Sequence, residues 1–226
     1  MFQIAIDGPG GAGKSTLAKA IARELGIIYV DTGALYRTVG LYVKESGVSP
    51  TDRKAVAALL PGLKIEMKHE NGVQVVLLNG ENPGDRIRTP EMSMYASAVS
   101  AIPEVREFLL STQREIAEKN NVIMDGRDIG TVILPNAKVK IFLTASPEDR
   151  ARRRYEELCA RGVETSYEDV LRDMLERDKN DSSRDIAPAV PAADAVILDN
   201  TGFTNDMTLK AALKIINRKL VCVRDC

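Results

Sequence analysis

Glycine, lysine and hydroxyl residues are concentrated in one short segment near the start of the chain. Residues 8–15 read GPGGAGKS and match the pattern G-x-x-x-x-G-K-[ST] at every fixed position. An apolar run from Phe2 to Ile6 precedes them, and apolar residues at helical spacing follow. A glycine-rich turn that opens a helix presents backbone N–H groups and the positive end of the helix dipole to an anion. The pattern therefore predicts a phosphate-binding loop.

The side chains of this loop predict a nucleoside triphosphate as its ligand. We expect Lys14 to reach the outer phosphates and Ser15 to bind an Mg²⁺ ion that the nucleotide and water also ligate. The alternative is a glycine-rich turn that merely joins a strand to a helix. The predicted nucleotide-binding residues are Gly8, Pro9, Gly10, Gly11, Ala12, Gly13, Lys14, Ser15 and Thr16.

The composition argues against several other classes of protein. Of the 226 residues 44% are hydrophobic, and the formal net charge of −1 provides no global basic field for nucleic acid or an anionic membrane. The apolar runs are too short to span a membrane, and the first strand begins so early that we expect no signal peptide. Three scattered cysteines, Cys159, Cys222 and Cys226, and a single histidine, His69 in a predicted hairpin turn, argue against a zinc site. We expect reduced thiols, and the alternative is a pair between Cys222 and Cys226. We expect a cytoplasmic protein.

Five short apolar runs alternate with helical stretches along the chain. Each run is followed by polar or turn residues, which is typical of strands buried on both faces of a parallel sheet. The pattern predicts a doubly wound α/β fold with a five-stranded parallel sheet, whose ligand lies beyond the carboxyl ends of the strands. The predicted strands are Phe2–Ile6, Ile27–Val30, Val122–Met124, Val139–Leu143 and Ala195–Leu198, and a last helix is predicted near Asn205–Leu220.

Two segments interrupt this alternation. Apolar and charged residues alternate from Leu63 to Leu77 around an Asn71-Gly72 pair, which predicts a β-hairpin. From Ser146 to about Asp185 the chain is highly charged, with helix starts at Ser146 and Ser166 and a break at Gly162, which suits a mobile lid. We therefore expect one domain with a core of residues 1–60, 93–145 and 186–226, a β-containing insert at about 61–92, and a lid at about 146–185.

Arginines follow several of the predicted strands and occur throughout the lid. The planar guanidinium of arginine binds phosphate through paired donors, so these residues are candidate phosphate ligands. The sequence offers no Ser–His–Asp or Cys–His nucleophile, and transfer to an anionic acceptor requires charge neutralisation and no general base. The alternative is that each arginine is a solvated surface charge. The arginines considered are Arg37, Arg127, Arg150, Arg153, Arg154, Arg177 and Arg184.

The chain resembles the bacterial cytidylate kinases, which are P-loop nucleoside monophosphate kinases, over nearly its whole length. The loop alone indicates only a superfamily, whereas DGRDIGT together with DSSR is far more specific. The resemblance implies transfer of phosphate from ATP, with Mg²⁺, to CMP or dCMP, and a monophosphate-binding role for the insert. It rests on IAIDGPGGAGKST at 4–16, DTGALYR at 31–37, IPEVREFL at 102–109, MDGRDIGTVILPNA at 124–137, KIFLTAS at 140–146, and RDKNDSSRDIAP through PAADAVILDNT at 177–201.

The same resemblance implies roles for individual residues. Around the cytosine it places Thr32, Ser97, Arg106 and Asp128, and on the CMP phosphate it places Arg37, Arg127 and Arg184. Asp181 is implied to bind the ribose hydroxyls. The residues implied to act on the transferring phosphate are Lys14, Arg127, Arg150, Arg154 and Arg177.

Two other readings of the sequence stay open at this point. One is a P-loop kinase for another small acceptor, such as UMP, AMP, dTMP or a shikimate-like alcohol. The other is a nucleotide-binding switch that controls a partner without turnover of any monophosphate. We expect ATP and CMP or dCMP as small-molecule substrates, no nucleic acid or membrane partner, and a monomer.

Overall fold

The computed structural model describes residues 1–70 and 73–221 of the chain. They form two compact units. One unit contains Met1–Tyr29 and residues 120–221, and the other contains Val30–Lys119. The predicted division into core, monophosphate-binding insert and lid is a statement about function and stays a prediction.

Within residues 1–70 and 73–221, seven strands form two sheets. The larger sheet has the order β2-β5-β1-β6-β7, in which β1 pairs in parallel with β5 and β6, and β6 pairs in parallel with β7. Its strands start and end within two residues of the predicted apolar runs, and the predicted five-stranded parallel α/β fold is confirmed. The strands are β1 Gln3–Asp7, β2 Ile28–Asp31, β3 Ile65–Glu70, β4 Val73–Leu78, β5 Val122–Asp125, β6 Val139–Thr144 and β7 Val196–Asp199.

The helices begin and end where the sequence supplies caps. Gly26 adopts a left-handed φ of 62° and ends the first helix, and the hydroxyls of Ser146 and Ser166 accept the N–H groups of Asp149 and Asp169. Both predicted helix starts in the charged segment are therefore confirmed. The helices are α1 Lys14–Leu25, α2 Thr32–Glu45, α3 Arg53–Leu59, α4 Pro90–Ser100, α5 Pro103–Lys119, α6 Pro147–Ala160, α7 Tyr167–Ser183 and α8 Asn205–Val221.

The core of the first unit lies between the parallel sheet and the helices α1 and α8. Ile4, Ile6 and Ile141 of the sheet are fully buried against Ile21 of α1 and Ile216 of α8. Burial of such side chains contributes about 1.5–3 kcal/mol each. The helices α6 and α7 enclose a small apolar cluster of their own. The packing holds the carboxyl ends of β1, β5 and β6 in fixed positions.

The second unit is built around α2 and α4, with the predicted hairpin beside them. Strands β3 and β4 are antiparallel, and Ile65 lies opposite Leu78. The Asn71-Gly72 turn lies outside the described residues. His69 was predicted in that turn, which is wrong: it lies in β3 opposite Gln74, because the ladder extends to Glu70. The side chain of His69 lies outside the description.

Two further observations concern the whole described chain. Among residues 1–70 and 73–221, no helix is both long enough and apolar enough to cross a membrane. Cys159 is a free, exposed thiol on α6, whereas Cys222 and Cys226 lie beyond the last described residue.

Candidate active site

The loop between β1 and α1 has the backbone geometry of an anion site. Gly8 has φ 144°, and a Cβ built on it would lie 1.9 Å from the carbonyl oxygen of Leu143, so only glycine fits there. Gly13 has φ 88° and caps α1 without a side-chain hydrogen bond to the helix. The helix therefore begins with N–H groups that a phosphate can accept from.

Lys14 is buried beside this loop. Its Nζ donates to the carbonyl oxygen of Pro9 at 2.7 Å. Burial holds the pKa of Lys14 well below 10.5, the nearby charge of Arg127 lowers it further, and Asp125 opposes the shift. A bound phosphate would supply the negative charge that favours the ammonium form. Lys14 is thus placed where an anion bound in the loop would raise its pKa.

Hydroxyl and carboxylate groups meet at the start of α1. The Ser15 Oγ donates to Asp125 Oδ2 at 2.8 Å, and the Tyr29 hydroxyl donates to Asp125 Oδ1 at 2.8 Å. These are the hard oxygen groups that Mg²⁺ prefers. No cluster of three or more His, Cys, Asp or Glu side chains suited to a metal occurs within the described residues. A magnesium ion here would therefore need phosphate and water oxygens to complete its coordination.

Arginines and carboxylates pair in the first unit. Arg127 Nε donates to Asp181 Oδ2 at 3.0 Å, and Arg177 Nε lies 3.8 Å from the same oxygen. Arg184 Nη2 lies 3.8 Å from Asp128 Oδ1. The carboxylates of Asp181 and Asp128 are both only 4% exposed. The structure thus brings together five predicted site residues, with each acid facing at least one arginine.

Helices α6 and α7 contact the phosphate-binding loop directly. Arg150 Nη1 donates to the Gly10 carbonyl at 3.0 Å and to Asp178 Oδ2 at 2.5 Å, and the Gly10 N–H donates to Asp178 Oδ1 at 3.4 Å. Arg154, by contrast, pairs with Glu157 at 2.8 Å. Of Arg150 and Arg154, the two α6 arginines implied to act on the transferring phosphate, Arg150 therefore lies at the loop in this structure.

The remaining predicted residues belong to the second unit. Asp31 caps α2 by accepting the Ala34 N–H at 2.9 Å, and its second oxygen accepts from Arg37 Nη2 at 3.1 Å. The Nε of Arg37 is buried and has no hydrogen-bond partner within the described part of the chain. An unsatisfied buried donor is costly, so Arg37 is suited to donate to an anionic ligand. Thr32, the first residue of α2, is also buried.

A second cluster of this unit surrounds Arg106. The guanidinium carbon of Arg106 lies 5.8 Å from the centroid of the Tyr36 ring, within the range of a cation–π contact, and Nη1 donates to the carbonyl of Ser100 at 3.3 Å. Ser100 in turn donates to the carbonyl of Ser97 at 2.8 Å. Ser97 and Arg106, predicted from separate parts of the sequence, are therefore linked through Ser100.

Four polar residues that contact the loop or adjoin it in the chain were missing from the predicted set. Asp7 accepts two backbone N–H groups, Asp125 accepts from Ser15, Asp178 accepts from Gly10, and Asn200 Nδ2 donates to the Ala12 carbonyl at 3.1 Å. Three of them end or directly follow a strand of the parallel sheet. That position is where such a sheet binds ligands, and it is the signal that could have found them.

Comparison with solved structures supports the fold. The crystal structure of an uncharacterized protein from Eubacterium ventriosum superposes with a TM-score of 0.53 at 14% identity, covering 96% of this chain and 99% of that chain. At this identity the likeness concerns the fold alone.

Comparison of sequences is more specific. A curated cytidylate kinase from Caldicellulosiruptor bescii is 50% identical over 214 residues, which cover 95% of this chain and 95% of that protein. A cytidylate kinase from Fervidobacterium nodosum is 50% identical over 217 residues, which cover 96% of this chain and 97% of that protein. The sequence model of the cytidylate kinase family matches residues 4–218. Since this match includes the loop, the arginine–carboxylate pairs and both helices that contact the loop, the chain belongs to the cytidylate kinase family.

Proposed function

We propose that this protein transfers the γ-phosphate of ATP to CMP or dCMP, giving ADP and CDP or dCDP. The observation that carries the proposal is a phosphate-binding loop with a buried lysine in a chain that matches the cytidylate kinase family from residue 4 to residue 218. The loop geometry supports a nucleoside triphosphate as donor. The family match supports a cytidine monophosphate as acceptor.

The proposed reaction needs no general base. An ionised oxygen of the CMP phosphate attacks the γ-phosphorus, a new P–O bond forms, and the bond from the γ-phosphorus to its bridging oxygen breaks as ADP leaves. The barrier arises mainly from bringing two anions together and aligning them. The protein therefore contributes positive charge and positioning.

The charged residues have proposed roles in neutralising the transferring phosphate. Lys14 and Arg127 lie close enough to lower the pKa of Lys14 through their mutual repulsion, and bound phosphate would relieve that repulsion. Arg150 at Gly10 and Arg177 at Asp181 are proposed to turn from these partners to the phosphate. Arg154 is proposed to join them although Glu157 holds it here.

Mg²⁺ is proposed to accompany ATP. The Ser15 hydroxyl, which lies 2.8 Å from Asp125, fits a hard divalent cation together with the nucleotide oxygens. When bound, the ion supplies charge neutralisation on the phosphate oxygens. Gly8 to Thr16 hold the nucleotide phosphates in this proposal.

The residues proposed to bind the acceptor are those that the family resemblance implies. Arg37 binds the CMP phosphate through its unsatisfied Nε, and Thr32, Ser97 and Arg106 bind the base. Arg127 and Arg184 bind phosphate and Asp181 accepts from the ribose hydroxyls. Asp128 is proposed to accept from the cytosine N4 amino group. Uracil presents an oxygen at that position, which a carboxylate repels.

The protein is proposed to act as a monomer in the cytoplasm. The nucleotides it would use are intracellular metabolites, and the free thiol of Cys159 on α6 suits a reducing compartment.

A coupled assay of ADP release tests the function. ATP and Mg²⁺ are supplied with one acceptor at a time: CMP, dCMP, UMP, AMP, dTMP or shikimate. We expect rapid ADP release with CMP and dCMP and slow release with the others, and chelation by EDTA should abolish it. Comparable rates with UMP or shikimate would favour another small-acceptor kinase, and tight ATP binding without release with any acceptor would favour a switch.

A further inference from the structure

Asp7 is a buried carboxylate at the end of β1 that has no role in the reaction described above. Its Oδ1 accepts the N–H of Ile129 at 2.7 Å, and its Oδ2 accepts the N–H of Gly130 at 2.8 Å. The residue is 4% exposed. One side chain thus binds two successive peptide groups that are more than a hundred residues away in the sequence.

The first of these peptide groups joins Asp128 to Ile129. Its N–H is held by Asp7, and its carbonyl oxygen accepts from Val132 at 2.9 Å and from Ile133 at 3.3 Å. The peptide is therefore held from both sides. Its plane determines the direction in which the backbone of Asp128 presents its side chain.

The packing around Asp7 leaves little room for the carboxylate to move. A Cβ added to Gly130 would lie 3.2 Å from Asp7 Oδ2 and 3.1 Å from the Cδ of Lys140. The Nζ of Lys140 is itself held by the Pro135 carbonyl at 2.6 Å and by Asp194. The carboxylate, the glycine and the lysine stem thus fit closely together.

A carboxylate in this place is electrostatically unfavourable. Burial raises the pKa of Asp7 to about 6, and the charge of Asp128 raises it as well, whereas the two N–H groups and Lys14 lower it. The facing charged groups are Asp128 after β5 and Lys14 on α1, with the uncharged stem of Lys140 on β6. A neutral residue would avoid this penalty, but a hydrocarbon side chain would leave both N–H groups without an acceptor.

We propose that Asp7 is a positioning residue for pyrimidine discrimination, which orients Asp128 toward the base by holding the N–H groups of Ile129 and Gly130. This inference rests on the proposed function, in which Asp128 reads the cytosine amino group. Asp7 does not touch the substrate in this account. Its contribution is the orientation of a neighbouring carboxylate, and small errors of orientation lower rates strongly.

Two variants alter the contact from opposite sides. Asp7→Asn keeps the shape and one acceptor but turns an amide donor toward one N–H group. Gly130→Ala keeps the charge of Asp7, but its added methyl group would lie 3.2 Å from Asp7 Oδ2 and displace it. Val139→Ala is the matched control, because it truncates a fully buried residue of β6 and leaves these hydrogen bonds intact.

The readouts are kcat/KM for CMP and UMP, KM for ATP, and amide hydrogen exchange of residues 126–134. We expect both variants to lose about tenfold or more in kcat/KM for CMP and much less for UMP, while KM for ATP changes by about twofold at most. Exchange in the segment should accelerate in Asp7→Asn. Val139→Ala should keep the CMP/UMP ratio of the wild type.

The outcomes separate this inference from the proposed function. If the wild type does not phosphorylate CMP, the proposed function fails. If the wild type is active and both variants keep its CMP/UMP ratio, or if Val139→Ala lowers that ratio equally, the role of Asp7 is refuted and the function stands. If neither variant folds, Asp7 is a structural residue and the inference is overturned.

Discussion

At the scale of single residues, the candidate site is built from buried and half-buried charges that compensate one another. Asp128 faces Arg184, Asp181 faces Arg127 and Arg177, and Arg150 faces Asp178. Burial strengthens each interaction and also raises the penalty for an uncompensated charge. In the proposed function, a nucleotide that brings phosphates and a base into such a site would replace some of these ion-pair partners. The consequences of removing one partner are therefore specific and measurable.

Removal of Lys14 tests the charge at the phosphate-binding loop. Lys14→Ala should lower kcat by about 100-fold or more, because its charge acts mainly on the phosphate in the transition state. The effect on CMP binding, measured by titration calorimetry, should be much smaller. Normal turnover by a correctly folded Lys14→Ala protein would refute the assignment of the loop.

Removal of Asp128 tests the reading of the base. Asp128→Ala should lower kcat/KM for CMP by at least about tenfold, since a hydrogen bond to a charged acceptor contributes about 1.5–3 kcal/mol. UMP turnover should fall much less, so the CMP/UMP ratio drops. Equal losses for both substrates would mean that Asp128 serves only to hold Arg184, with which it pairs at 3.8 Å.

The raised pKa of Asp7 predicts a pH dependence of stability. The pKa is about 6 in the folded protein against an ordinary value of 3.8, so the folded state binds more protons between these values and loses stability as pH rises through them. The side chain of Asp7→Asn does not titrate, so this variant lacks the loss of stability that Asp7 causes as pH rises. Its free energy of unfolding relative to wild type should therefore rise by about 2 kcal/mol between pH 4 and pH 7 in urea titrations. A constant difference across this range would contradict the shifted pKa.

At the scale of elements, the carboxyl ends of the parallel strands position the chemistry. The ends of β1 and β5 hold Asp7 and Asp125, and the loop after β7 holds Asn200. These short strands could be predicted because each is an apolar run bounded by turn residues. The contacts of Asp7 with Ile129 and of Asp178 with Gly10 could not, because they join residues 122 and 168 positions apart and depend on the tertiary packing.

The glycines of the loop provide a test at this scale. Gly8→Ala should lower the free energy of unfolding by more than about 2 kcal/mol, because the new Cβ would collide with the Leu143 carbonyl. Gly162→Ala, between α6 and α7, is the matched control: its φ of 72° is also positive, but no atom lies within 4 Å of its Cβ position. The free energy of unfolding of Gly162→Ala, measured by thermal denaturation, should fall by about 1 kcal/mol. Equal losses of unfolding free energy in the two variants would show that the close approach of Gly8 to the Leu143 carbonyl does not restrict this position to glycine.

At the scale of the whole molecule, the fold and the family define a phosphotransferase, and the proposed contacts of individual residues would define its acceptor. The β-hairpin and the paired helices α6 and α7 could be predicted from alternating residues and from helix caps. The sequence did not predict that a compact unit extends over Val30–Lys119, because its core is formed by apolar residues of α2, α4 and α5 that are far apart in the chain. The proposed roles of its residues Arg37 and Arg106 depend on that packing.

Competition between acceptors tests the central claim most directly. The wild-type protein is incubated with Mg²⁺, a limiting amount of γ-³²P-labelled ATP, and equal concentrations of CMP, UMP, AMP, dTMP and shikimate, and the labelled products are separated by chromatography. The account predicts that nearly all transferred label appears in CDP, since discrimination by polar groups can reach about 10⁴-fold. Label distributed evenly among the acceptors, or concentrated in a product other than CDP, would contradict it.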